Sequence, residues 1–288
     1  SERAALTAAG AAMELLQSGL LVHDDIMDRD RTRRGQTTVF YQYVQRAERE
    51  GLRDAYHLGE ALGICAGDVA YFLAFELLSR LPVSAEASRR ALSLCGRELT
   101  YVGVAQMQDV VWGASPAVVG EEEVLKLYIY KTGRYTFSLP LALGGVLAET
   151  DERTLARLER LGECLGVLFQ IRDDELGLFG DPRELGKPVG SDIREGKKTL
   201  FYGYLHRHAP PEELRSLEAI FGNPQAGETE LNRVRLLLER LGARQAVREL
   251  AEAHRREALA IIGELPDPTG CGRGVLGELL EYTLARTR

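Results

Sequence analysis

The sequence predicts an all-α protein organised as a single domain over residues 1–288. Two patterns carry that prediction. Apolar residues recur with a period near 3.6 through most of the chain, and no stretch alternates with period two for long. Short Gly- and Pro-containing breaks separate the periodic segments. With 288 residues, 45% of them hydrophobic, the chain can bury a large core, and an all-α chain of this size can be one domain. There is no internal repeat and no low-complexity segment.

The elements follow from the periodicity and the breaks. The first helix is expected near 2–28, with Gly35 positioned to stop it, and the next runs over 54–80 up to Leu81-Pro82. Ser84 is a helix start for 84–112, which ends in the break Gly113 to Pro116. One helix is expected over 121–147 and another over 151–178, before a break from Asp181-Pro182 to Gly190. Helices are then expected near 196–208, at 211–221 (Glu212 and Glu213 following Pro211), at 229–263 beyond Gly222 to Gly227, and at 275–286. The charged stretches Arg153 to Arg160 and Arg248 to Arg256 read as solvated faces with i,i+4 pairs.

Charge and cysteine content exclude several classes. Lys and Arg total 36 against 43 Asp and Glu, and the net charge of −7 argues against nucleic acid or an anionic membrane surface as a general partner. Cys65, Cys95, Cys164 and Cys271 show no C-x-x-C spacing and mostly lie in apolar helical contexts, so they read as reduced core residues of a cytoplasmic protein. No signal peptide is visible, and the apolar runs read as too short or too interrupted to span a bilayer.

Two acidic clusters carry the chemistry. Asp24, Asp25 and Asp28 follow the apolar run Leu20-Leu21-Val22 and flank Ile26-Met27. On a helix Asp24 and Asp28 share a face, with Cβ atoms roughly 5–6 Å apart, and Asp25 lies about 100° round the axis. Like charges at that spacing repel, and a cation between them turns the repulsion into a site. The all-oxygen ligand set, with no His or Cys at ligand spacing, favours Mg²⁺ or Mn²⁺ over zinc. Arg33 and Arg34 follow closely, and guanidinium forks match phosphate oxygens. His23 reads as a hydrogen-bonded structural histidine.

The second cluster is Gln170-Ile171-Arg172-Asp173-Asp174, followed by Lys187 and by Lys197-Lys198. Tyr130-Lys131-Thr132-Gly133-Arg134 lies between the clusters. Carboxylates for cations and ammonium groups for the remaining oxygens are what a metal-bridged diphosphate needs. Trp112, Tyr128 and Tyr130 read as packing.

In this order and spacing, the motifs resemble those of the trans-isoprenyl diphosphate synthases, the polyprenyl synthetase family. The match runs from about Gln17 to Lys198. The resemblance implies the isoprenoid-synthase helical bundle around a central apolar cavity, working as a homodimer. It implies three Mg²⁺ ions held through Asp24, Asp28 and Asp173, with Asp25 and Asp174 in support. Arg33, Lys131, Lys187 and Lys197 would hold an allylic diphosphate, and Gln17 and Arg34 would face isopentenyl diphosphate. Thr132 and Gln170 would flank the developing carbocation, beside a Gln106-x-x-Asp109 element. The implied reaction is ionisation, condensation and elimination, in a cavity that excludes water.

The sequence departs from the family pattern in two places. Gly177 stands where the second motif carries a third acid, and the family's upstream Gly-Gly-Lys-x-x-Arg-Pro segment does not precede Ser1-Glu2-Arg3, so a longer protein is expected. Product length turns on the residues before the first cluster. Farnesyl-type members carry bulky aromatics four and five positions before the first aspartate; here Leu20 and Gly19 stand there. Gly19 is expected to leave that level open, about 7.5 Å down the helix, with Tyr71 and Phe72 available to close it lower. The expected product is C20 geranylgeranyl diphosphate. The alternatives are a class I terpene cyclase of the same fold and a non-catalytic regulatory subunit of a heteromeric synthase.

Overall fold

The computed structural model describes residues 2–180 and 190–286, and helices account for nearly all of the regular structure. Lys187, with the rest of 181–189, lies outside the described residues. The chain divides into two compact units, Ser1–Cys95 with Leu143–Thr150, and Gly96–Ala142 with Asp151–Arg288.

In the first unit, α1 (Glu2–Met27) ends where Arg29 takes a left-handed φ of 58°. Gly35 therefore does not stop this helix, contrary to the expectation from sequence. Instead Arg34 (φ 51°) and Gly35 (φ 74°) form the two-residue turn of a small hairpin, β1 (Thr32–Arg33) with β2 (Gln36–Thr37). Positive φ at both central residues is the backbone a two-residue hairpin favours. Thr38 closes its base, donating from its hydroxyl to the Asp30 carbonyl at 2.7 Å.

The following helix, α2 (Val39–Arg49), is absent from the sequence expectation. Its β-branched and aromatic start opposes helix propensity, but Phe40, Val44 and Ala47 fall on one face and are buried. That face packs on α3 (Ala55–Ser79), where Gly59, Gly63 and Gly67 recur every fourth residue. A Cβ at Gly63 would lie 2.7 Å from Phe40 Cβ and 2.8 Å from Ile26 Cδ1. One at Gly59 would collide with Val44, and one at Gly67 with the His23 ring. The glycine row lets α1 and α2 seat directly on α3.

By length and composition α1 and α3 could each cross a membrane, with mean hydropathies of 1.4 and 1.7. This corrects the expectation that the apolar runs are too short, although core helices of soluble proteins pass the same test.

α4 (Ala85–Gly113) contributes its first turns to the first unit and the remainder to the second. The segment expected as one helix over 121–147 is continuous but has three parts: α5 (Glu121–Leu127), a π-helix (Tyr128–Ser138) and α6 (Leu139–Leu147). The π-helix packs on α7 (Glu152–Phe179), which starts at Asp151, whose carboxylate accepts from Thr154 N at 2.8 Å. Beyond lie α8 (Ser191–Glu195), α9 (Leu200–His208), α10 (Pro211–Glu218), α11 (Glu228–Arg240), α12 (Ala243–Glu264) and α13 (Gly272–Ala285). The helix expected over 229–263 is broken at Gly242 (φ 77°), and that over 196–208 begins only at Leu200 because Gly196 (φ 70°) ends α8.

Two apolar cores sit in this unit. One gathers Val167, Ile171, Phe201, Leu231 and Leu238; the other gathers Leu161, Leu165, Leu168, Ile262 and Leu280. The charged stretches are not simply solvated faces. Arg157 reaches Glu264 at 2.6 Å and Arg160 reaches Glu257 at 2.7 Å, so both tie α7 to α12.

The glycine row makes a signed prediction. Gly63→Ala overpacks a closed contact and is expected to cost about 1–3 kcal/mol. Gly10→Ala, on α1 with no atom within 4 Å of the new Cβ, is expected to gain up to roughly 1 kcal/mol of helix propensity. Urea unfolding followed by circular dichroism measures both.

Candidate active site

Each acidic cluster is described within its own unit. In the first, Asp24 and Asp25 occupy the last turn of α1, and the Asp28 amide still donates to the Asp24 carbonyl at 2.9 Å. The hairpin carries Arg33 back over them. Arg33 Nε donates to Asp25 Oδ1 at 2.6 Å, and its Nη2 donates to Asp24 Oδ2 at 3.1 Å. Asp25 is buried, and burial pushes its carboxyl above the usual carboxylate value although the guanidinium pulls the other way. Asp24, Asp28 and Gln17 are half-buried, and Arg34 at the turn is exposed. Arg33 thus bridges two aspartates, and Arg34 is the arginine that faces outward.

The expectation for Gly19 needs correction. The residue is buried, and a Cβ there would lie 2.6 Å from Tyr71 Cε1 and 3.0 Å from the Gly67 carbonyl oxygen. Its missing side chain is used for the approach of α1 to α3 and leaves no open level. Tyr71 fills the place, edge-on to His23 with ring centroids 5.3 Å apart. His23 is structural as expected, its Nε2 lying 3.0 Å from the Ile64 carbonyl. Phe72 is 70% exposed, so it is not a core residue. Leu20 is half-buried.

In the second unit a hydrogen-bond chain joins the central motif to the second cluster. Thr132 Oγ1 donates to Gln170 Oε1 at 3.0 Å, and Gln170 Nε2 donates to Asp174 Oδ1 at 2.9 Å. The Tyr128 hydroxyl donates to the other Asp174 oxygen while accepting the Leu200 amide at 3.1 Å. Tyr128, read from sequence as packing, is therefore a polar anchor. Its place one turn before Lys131-Thr132 is the signal that was available.

Asp174 is buried, and burial, reinforced by Asp192, raises its carboxyl to about 8. A buried acid to which no basic side chain bonds among the described residues is the donor type that a divalent cation satisfies. The neighbouring Glu175 is not part of that set, since Arg172, Arg244 and Arg248 all bond to it. Asp192 lies where the missing third acid would point, because a Cβ on Gly177 would sit 3.0 Å from Asp192 Oδ2.

The cations in this unit are also partnered. Lys131 Nζ bonds to Asp109, which brings the Gln106-x-x-Asp109 element beside the Lys-Thr pair. Lys197 reaches Glu195 at 2.8 Å and Asp192 at 3.9 Å. Arg286, near the C-terminus and not anticipated from sequence, bonds to Asp173 at 3.0 Å and stacks 3.7 Å from the Phe169 ring centroid. Nothing in local sequence marks it, because it comes from 113 positions away. Arg134, buried beside Lys131-Thr132-Gly133, clamps Glu98 through two bonds of 2.6 and 2.8 Å and also reaches Glu159 and Glu163.

Comparison with known proteins points to a single family. A family model described as polyprenyl synthetase matches residues 1–238. A geranylgeranyl diphosphate synthase of Saccharolobus solfataricus is 32% identical over 282 residues, covering 97% of this chain and 80% of that protein. A nonaprenyl diphosphate synthase of Mycobacterium tuberculosis is 31% identical over 288 residues, covering 99% of this chain and 77% of that protein. Among solved structures, geranylgeranyl pyrophosphate synthase from Corynebacterium glutamicum, complexed with isoprenyl diphosphate and magnesium, superposes with a TM-score of 0.89. It is 31% identical, and the match covers 98% of this chain and 80% of that one.

The Asp174 environment predicts a pH dependence of stability. Its folded value lies above the ordinary 3.8, so the folded state holds a proton that the unfolded state has lost. That contribution is full below pH 3.8 and is lost as the pH rises through about 8. In metal-free buffer the urea midpoint of the wild-type protein is expected to decline across this window. Asp174→Asn is expected to flatten the decline.

Proposed function

The chain belongs to the polyprenyl synthetase family, the trans-isoprenyl diphosphate synthases, and from that premise we propose a Mg²⁺-dependent synthase whose product is C20 geranylgeranyl diphosphate. The observation that carries the reading is the hydrogen-bond chain Thr132–Gln170–Asp174–Tyr128, which links the Lys-Thr pair to the second acidic cluster. The C20 product is supported by the names of relatives such as the Saccharolobus enzyme, and by Leu20 in place of an aromatic four residues before Asp24.

In this reading Asp24, Asp28 and Asp173 hold the Mg²⁺ ions, with Asp25 and Asp174 orienting the shell. The donor chemistry fits, since every group is a carboxylate oxygen. When bound, Mg²⁺ supplies positive charge to the oxygens of the departing diphosphate. The protein's own groups do the rest by exchanging partners. Arg33 and Lys131, each held by carboxylates, turn to phosphate oxygens, and Lys187 and Lys197 complete the set. The exchange leaves neither cation unpaired, because each trades a carboxylate oxygen for a phosphate oxygen of the same sign.

The allylic C–O bond then breaks with its electron pair going to the diphosphate. The Thr132 hydroxyl and Gln170 carbonyl oxygens present negative ends of dipoles toward the cationic carbon. The isopentenyl double bond forms the new C–C bond, and a proton leaves to the released diphosphate. Gln17 and Arg34 hold the second substrate. The chain acts in the cytoplasm as a homodimer. Support for dimerisation comes from the exposed apolar residues Val104, Met107, Val110 and Val111 on α4, with Met107 70% exposed, which is more than a monomer usually leaves to water.

Incubation of the purified full-length protein with farnesyl and isopentenyl diphosphates and Mg²⁺, followed by chromatography, is expected to yield C20 product. Exclusive C15 or C45 product overturns the length. Release of diphosphate from the allylic substrate alone signifies a cyclase, and no turnover without a second subunit signifies a regulatory chain. Asp24→Ala and Asp173→Ala are each expected to lower kcat on the order of 10²–10³-fold, and chelation of Mg²⁺ to abolish turnover.

A further inference from the structure

A second cluster of metal-ligand groups lies away from the acidic motifs. Cys164 stands on α7, nine residues before Asp173 and so about 13.5 Å from it along the helix axis. His254 and Glu257 stand three residues apart on α12, which places them on one face. One donor atom from each of the three lies within 4.8 Å of the other two. Four-coordinate zinc, with bonds of about 2.0–2.3 Å, sets its ligands roughly 3.3–3.8 Å apart, so closure by about 1 Å brings the three into place.

The hydrogen bonding at this cluster is incomplete in a telling way. His254 is half-buried, but its Nδ1 atom is shielded from water and has no hydrogen-bond partner among the described residues, whereas most shielded side-chain polar atoms find one. Burial lowers His254 below its usual range, so the imidazole is the neutral ligand form. Arg160 holds Glu257 ionised through bonds of 2.7 and 2.9 Å. Cys164 is fully buried, and burial raises its thiol to about 12.

We propose that Cys164, His254 and Glu257 form a zinc site, with water as fourth ligand, that staples α7 to α12. Thiolate with imidazole and carboxylate selects zinc over magnesium. As the Zn–S bond forms, the thiol proton passes to solvent, and the metal takes over the stabilisation of the thiolate that burial denies. Thiolate, carboxylate and Zn²⁺ sum to zero charge. Arg160 gives up one Glu257 oxygen to the metal and keeps Glu163, already 2.9 Å away, as its second partner.

Titration of the chelator-stripped, reduced protein with Co²⁺ tests this. One equivalent is expected to give a thiolate-to-cobalt charge-transfer band and the intense visible bands of tetrahedral cobalt, both abolished by competing Zn²⁺. Cobalt on the aspartate clusters gives neither band. Both bands are expected to be lost in Cys164→Ser and His254→Gln and kept in Cys65→Ser and Cys271→Ser, which alter the exposed cysteines. Zn²⁺ is expected to raise the Tm of the wild-type protein and leave that of His254→Gln unmoved. Absence of the thiolate band in the wild type, or its survival in either ligand variant, overturns the site.

Discussion

The backbone contact between the π-helix and α7 is the constraint on which the second unit depends. A Cβ on Gly166 would collide with Gly133 Cα, and one on Gly162 would collide with the Ser138 backbone. Only glycine allows two helices to meet at this distance. The contact sets the reach of Thr132 to Gln170 and of Tyr128 to Asp174. The wider π turn occurs here, over the residues that carry Lys131 and Thr132, and such departures from α geometry concentrate at functional segments. Arg134 holds the same stretch from the other side, and Glu98, its bidentate partner, is entirely buried. An ion pair removed from water this completely is costly to break, so the stretch is fixed at both ends.

Within each unit the charges are compensated in pairs. Asp24 and Asp25 share Arg33, Lys131 has Asp109, and Asp173 has Arg286. Among the described residues Asp174 is held by neutral groups, and burial, reinforced by Asp192, raises its carboxyl to about 8. Compensation explains how two acidic clusters coexist with apolar helices without opening them.

Glycine is used twice more for proximity. The row Gly59, Gly63 and Gly67 admits Phe40, Val44 and His23, and Gly19 admits Tyr71. The absent side chain of Gly19 is not a hole, because in a packed interior a neighbour, here Tyr71, fills the place. α2 escaped notice for a related reason. Its aromatic and β-branched residues form poor helix on their own, and the glycine row that stabilises the helix lies on α3, across a turn.

Periodicity and breaks were sufficient for the all-α class and for most helix positions, because burial of one helix face imposes a period that local sequence must carry. The motif residues Asp24 to Asp28, Lys131-Thr132 and Gln170 to Asp174 were equally legible, since their chemistry depends on residue type and short spacing. Local sequence was silent wherever a partner comes from far along the chain. The Arg286 bond to Asp173, the joining of Tyr128 to Asp174, the filling of Gly19 by Tyr71 and the meeting of Cys164 with His254 span tens of residues or more. Tertiary structure alone decided these, because they arise from which helix faces meet and how closely the backbones approach.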